Sequence, residues 1–431
     1  MHKLGSYIER IKNNKMLVNG SLFSVFSFFN QGVAFLLLII LANYIAPDEY
    51  GQLSMFNTIV SFLTYFIALS TQGYFSVSYF KRDREGFRED FTGIITFLCI
   101  CTLVIGLLFF CFRHTISRLS SISETFLLFT IVISFFLVFY NLYLDYERVR
   151  ERIGSYGIWS CSYAIISFVL SLLFVVGMKM NWYGRVYAFL LCAILFGIST
   201  FILLCKNKLF IRRINIERIK YILLWGIPLI PHQASVWVKQ GGDRFIINSF
   251  HSLGDVGLFS FALNLTSVII MVGSAFNSTN SVSIYQVLSS DKGQEEKAKA
   301  LRRQRKNIFM LISAAYIILV VGLSIFVPIV LPRYTASLPY FLLLSIQGLG
   351  QCIYFLFCNY LFYYHKTVQL MYITFGTSVL HFLLSLWLTR YSLTYTCVVY
   401  IVSQILMVAL VAYVSMKVLN KELSNNQNQS I

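Results

Sequence analysis

The chain has 431 residues, 57% of them hydrophobic and only 12% charged, with a formal net charge of +17. That composition excludes a soluble globule of this length, which needs far more polar surface, and points to a chain embedded in a bilayer. Its nine cysteines show no C-x-x-C or His/Cys ligand spacing, and the sequence has no P-loop, G-x-G-x-x-G or H-E-x-x-H, so no metal, nucleotide or other cofactor is expected.

The first fifteen residues are polar and basic, and the apolar run after them is too long for a signal peptide, so it is expected to stay as a membrane helix. Twelve apolar segments reach or exceed the roughly 20 residues needed to cross the hydrocarbon core. The first six are predicted at 16–46, 49–80, 90–112, 124–146, 153–178 and 183–205, and the second six at 219–250, 255–288, 307–331, 338–364, 367–390 and 393–417. An N-terminal lobe (1–205) and a C-terminal lobe (219–417) are then joined by a basic linker (206–218), and a polar tail (418–431) is expected to be disordered. The fold class is an all-α, multi-pass membrane protein of two six-helix lobes.

Charge orients the chain. Of 35 Lys and Arg, 27 fall in segments on the side of the N-terminus and 6 in the opposite loops, while Lys239 and Arg244 lie inside the seventh segment. By the positive-inside rule both termini face the cytoplasm. The basic loops are accounted for by topology, and no nucleic-acid partner is expected.

A faint repeat links the halves. At an offset of 206 the turn from Ile45 to Ser54 superposes on that from His251 to Ser260, aligning Gly51 with Gly257, Ser54 with Ser260 and acidic Glu49 with Asp255. An even number of spans per half gives a parallel repeat, and such repeats hold a site between their halves.

The seventh segment carries Lys239, Asp243 and Arg244 amid apolar residues. Each such charge costs roughly 2.5 to 3.5 kcal/mol at a helix centre, so the three are expected to face a polar interior. On an α-helix, His232, Lys239 and Asp243 form one stripe, with Gln233, Gln240 and Arg244 beside it. Lys239 and Asp243, spaced i and i+4, are expected to pair, which leaves the net interior charge positive and suited to anions. Pro228, Pro231 and the pair Gly241 and Gly242 predict a bent or unwound helix. Elsewhere the interior candidates are mainly neutral amides, including Asn30, Gln31, Asn264 and Asn277, with His381 among the later ones. Amides interleaved with aromatic residues are the chemistry that holds sugars, although each one alone also serves as a helix-to-helix hydrogen bond.

Twelve spans, the A-P-D-E-Y-G-Q turn at 46–52, and the G-G-D-R-F-I-I run at 241–247 followed by D-V-G-L-F-S at 255–260 resemble the polysaccharide transport branch of the multidrug/oligosaccharidyl-lipid/polysaccharide (MOP) exporter superfamily. Within that branch the chain is similar to Wzx-type O-antigen flippases. The resemblance implies a MATE-like carrier, not an enzyme, in the bacterial cytoplasmic membrane. It implies movement of an undecaprenyl-pyrophosphate-linked oligosaccharide from the inner to the outer leaflet, with the polyprenyl tail in membrane lipid. It maps an aspartate-arginine pair onto Asp243 and Arg244. Further expected partners are the polymerase and chain-length proteins of the same pathway. His232 and Asp243 are the evident titratable groups on the cavity face, which leaves two routes open: exchange for H+ or Na+ as a coupling ion, and passive movement drawn by removal of product outside. The alternatives are a cation-coupled multidrug exporter of the same superfamily, which carries an acidic residue in its first helix where 16–46 has none, and a polysaccharide polymerase or ligase, which carries a large outer loop absent here.

Overall fold

A computed structural model describes residues 15–69, 71–211, 215–227, 230–290 and 293–428. Among these residues every regular element is helical. The first set is α1 (Lys15–Ala42), α2 (Pro47–Ala68), α3 (Thr71–Lys81), α4 (Arg84–Cys111), α5 (Arg113–Ser120), α6 (Glu124–Val149), α7 (Ile153–Leu172), a π-helical turn (Leu173–Gly177) and α8 (Asn181–Lys206). There follow α9 (Ile216–Gly226), α10 (Ile230–Trp237), a second π-helical turn (Val238–Gly242) and α11 (Asp243–Phe250). The last are α12 (Leu253–Leu288), α13 (Gln294–Val330), a 3-10 turn (Pro332–Ser337), α14 (Leu338–Tyr363), α15 (Thr367–Leu388) and α16 (Leu393–Asn428).

Among the described residues, eleven helical runs are long and apolar enough to cross a membrane. The predicted seventh span is not one of them, because 219–250 is divided into α9, α10, the π turn and α11. Pro231 falls in the first turn of α10, where its missing N–H has no intrahelical partner to lose. Pro228 lies outside the described residues. The predicted second span is also divided, between α2 and α3, at Leu69 with its φ of 41°. Two segments expected as loop or tail are helical: α13 begins at Gln294 inside the basic loop, and α16 continues through 418–428. At 1.5 Å per residue the 37 residues of α13 span about 56 Å, well beyond the ~30 Å hydrocarbon core, so its charged first turns project past the membrane.

The chain forms two compact units, Met1–Ile45 with Gln52–Trp237, and Ala46–Gly51 with Val238–Ile431. The boundary therefore falls inside the seventh segment rather than in the expected linker. In the first unit α6 packs along α8, α1 along α7, and α9 against α4. Tyr140 stacks on Tyr163 at 4.7 Å and Trp159 meets Phe196 edge-on at 5.8 Å, which locks α6, α7 and α8 together. The linker is pinned here: fully buried Asp90 accepts from Ser78 at 2.7 Å and faces Arg82 at 3.5 Å and Arg218 at 3.6 Å.

In the second unit α14 is central, flanked by α12 and α16, with α15 on α16 and α13 on the outside. Here the repeat has a physical form. The first turns of α2 and α12 cross with Gly51 and Gly257 in backbone contact. A Cβ on Gly51 would lie 2.0 Å from the Leu253 carbonyl, and a Cβ on Gly257 would meet the Pro47 carbonyl just as closely. Pro47 and Leu253 are themselves related by the offset of 206. The acidic residues are equivalent too: Glu49 accepts from the Ala46 N–H at 3.2 Å, and Asp255 accepts from the Ser252 N–H at 3.1 Å as half of a capping box. The aligned glycines and carboxylates thus mark two matched helix starts that need closeness and capping.

Candidate functional site

Among the residues predicted from sequence, the charged ones of the seventh segment gather in the second unit. The π turn at Val238–Gly242 carries Lys239, and Asp243 opens α11. Both are met by α15, which runs parallel to the seventh segment in constant register. Lys239 Nζ lies 3.4 Å from Thr377 Oγ1, Asp243 Oδ2 is 2.8 Å from His381 Nε2, and His251 Nε2 is 2.6 Å from the Thr389 carbonyl, each pair separated by 138 residues.

Asp243 therefore pairs with His381, and the expected Lys239–Asp243 pair is not formed. The α-helical phase behind that expectation fails across the π turn, and a buried imidazole from another helix reaches the carboxylate first. Asp243 and His381 are 2% and 1% exposed, so neither has water as an alternative partner and the pair carries the desolvation of both. His381 Nδ1 in turn meets Ser403 Oγ at 3.0 Å, and the Tyr400 ring stands edge-on to the imidazole at 4.6 Å. Tyr400 donates to the Lys239 carbonyl at 2.8 Å, satisfying a backbone acceptor in the π turn. Irregular backbone at membrane depth is stable only with such partners.

Lys239 also touches Met407 Sδ at 3.6 Å, and half-buried Arg244 donates through Nε to Ser260 Oγ at 2.9 Å. With Lys239 and Arg244 against Asp243, the site is formally positive whichever protonation state His381 holds. Ser260, aligned with Ser54 by the repeat, orients the Arg244 guanidinium here.

The amide candidates have other partners. Asn264 donates to Tyr50 Oη at 2.5 Å, and Asn277 Oδ1 accepts from Asn359 at 2.8 Å, both within the second unit. Gln31 bonds back to Ser27 on its own helix at 3.1 Å. Asn30 Oδ1 is buried with no hydrogen-bond partner among the described residues. Asn30, Gln31, His232 and Gln233 belong to the first unit. Gln233 is half-buried, and the side chains of His232 and Gln240 lie outside the described ones. Of the residues around Asp243, sequence reasoning missed the roles of His381, Tyr400 and Ser403. The one available signal was an ionisable imidazole in the middle of an apolar span.

The chain is 25% identical over 342 residues to "Lsg locus putative protein 1" of Haemophilus influenzae, covering 78% of this chain and 81% of that protein. Among solved structures it is similar to the lipid II flippase MurJ in an inward closed conformation, with a TM-score of 0.71 and 14% identity over 94% of this chain and 90% of that one. It is also similar to an inward-facing MATE-family multidrug transporter of the MOP superfamily, with a TM-score of 0.68 and 14% identity over 92% and 96%. The sequence pattern of the family described as "Polysaccharide biosynthesis protein" matches residues 16–284. That match spans more than half of the chain, and the protein belongs to the polysaccharide biosynthesis protein family, built on the fold of MOP-superfamily transporters.

Proposed function

We propose that this protein is a flippase that moves an undecaprenyl-pyrophosphate-linked oligosaccharide, the repeat unit of an O-antigen or similar surface polysaccharide, across the bacterial cytoplasmic membrane. Alternating access of the two lobes carries the anionic pyrophosphate and sugars past Lys239 and Arg244, while the polyprenyl tail stays in lipid. The observation that carries this reading is the positive cluster on a broken seventh helix, in a chain of this family and fold. A guanidinium grips phosphate oxygens in a bidentate fork, and an ammonium adds a point charge. The first span, 16–46, holds no Asp or Glu, which weighs against a cation-coupled drug exporter.

We assign coupling to the Asp243–His381 pair, the buried titratable couple beside the cations, with a proton as the exchanged ion. Two experiments test these readings. Expression in a strain deleted for its own flippase should restore surface polysaccharide; an unrescued strain with the protein verifiably inserted would overturn the substrate assignment. Transport in proteoliposomes should rise with an imposed pH gradient and ignore a sodium gradient, and the reverse result would remove the proton.

A further inference from the structure

A groove on the second unit, further along α16 than Tyr400, Ser403 and Met407, is used by nothing above. It has a volume of about 560 Å³ and is lined by Arg305 of α13, Phe357 of α14, and Tyr413, Met416 and Lys417 of α16. Its walls are apolar and its rim is cationic. The Arg305 guanidinium stands 5.5 Å above the Phe357 ring and 3.0 Å from Met416 Sδ. Among the described residues neither Arg305 nor Lys417 is in an ion pair.

The two cations stand at one height in the membrane. Arg305 is about 25 residues from Val330 at one end of α13, and Lys417 is about 24 residues from Leu393 at the corresponding end of α16, so each lies roughly 36 to 38 Å along its helix. With a hydrocarbon core of ~30 Å, both fall in the headgroup layer on the side of the basic loops. Arg302, Arg303 and Lys306 are exposed around them, whereas Arg305 is half-buried, over the aromatic floor. Tyr413 is 67% exposed, an amphipathic ring at an interfacial depth.

We propose that this groove binds an anionic glycerophospholipid of the leaflet facing the basic loops, its phosphate between Arg305 and Lys417 and an acyl chain along Phe357, Tyr413 and Met416. The charge and the apolar walls complement the two ends of that one molecule, as in other basic pockets between membrane helices. The inference does not depend on the transported substrate.

Native mass spectrometry of the full-length detergent-purified protein, titrated with phosphatidylglycerol and with phosphatidylcholine, tests it. Phosphatidylglycerol should bind preferentially, weaken about five-fold for each cation removed in Arg305→Ala and Lys417→Gln, and persist in Arg305→Lys. Lys417 is exposed and its replacement leaves the packing of α16 intact, so that variant remains informative if Arg305→Ala fails to fold. Equal binding of phosphatidylcholine, or unchanged phosphatidylglycerol binding in Lys417→Gln, would overturn the proposal. So would displacement of phosphatidylglycerol by equimolar undecaprenyl phosphate, which would give the groove to a prenyl lipid instead.

Discussion

Within the seventh segment, neighbouring cations and a carboxylate have different partners and so different expected responses to substitution. Arg244 is held by Ser260. If it meets an anionic substrate, Arg244→Lys should keep part of the transport, Arg244→Ala should lose most of it, and Arg244→Glu should abolish it with insertion unchanged. Flipping assays normalised to membrane protein level decide this, and wild-type activity from Arg244→Glu would sink the anion role. Asp243 and His381 behave as a unit. Removing either partner leaves the other buried without its counterpart, at a cost of about 3 to 5 kcal/mol, whereas replacing both together with apolar residues should cost less than the two single changes combined. Thermal unfolding of Asp243→Leu, His381→Leu and the double variant measures that coupling, and strictly additive losses would show that the pair is not one. The same cycle with Lys239 in place of His381 should show little coupling, because Lys239 is directed to Thr377 and Met407.

Helices in this chain meet where backbone must approach backbone. Gly257→Ala would drive a methyl group into the Pro47 carbonyl, which no rotamer relieves, so the first turns of α2 and α12 must separate. A loss of about 1 to 3 kcal/mol is expected, read as a fall in unfolding temperature, with Gly51→Ala matching it by repeat symmetry. Gly154→Ala, whose Cβ meets nothing within 4 Å, should stay near wild type. Equal stability of Gly257→Ala and Gly154→Ala would mean that the crossing is not close. The α12 and α13 boundaries show what one-dimensional pattern reading reaches at this scale. The capping carboxylate at Asp255 marked the start of α12 to within two residues, while the start of α13 was missed because its first turns are charged and carry no apolar signal.

Charge asymmetry acts on the molecule as a whole. With 27 of 35 Lys and Arg on one side of the predicted spans, a fluorescent-protein fusion after Ile431 should fold in the cytoplasm, and alkaline phosphatase inserted after Lys179 should be active outside. The opposite pattern would invert the topology. The membrane setting, eleven of the twelve expected spans, the broken seventh segment and the repeat were legible in sequence, because each follows from the cost of polar groups in hydrocarbon or from local turn chemistry. So was the need of Lys239, Asp243 and Arg244 for polar partners, since charge in an apolar run is costly wherever it ends up. Which group pairs with which was not legible. Asp243 lies four residues from Lys239 and 138 from His381, and the nearer residue is the natural guess from helical phase. The choice is made by α15 lying parallel to the seventh segment, in a register that depends on the packing of α14, α15 and α16 around it. Hydrophobic patterning specifies that helices exist and how long they are; partners across them follow from how the helices stack, and only the tertiary structure determines that.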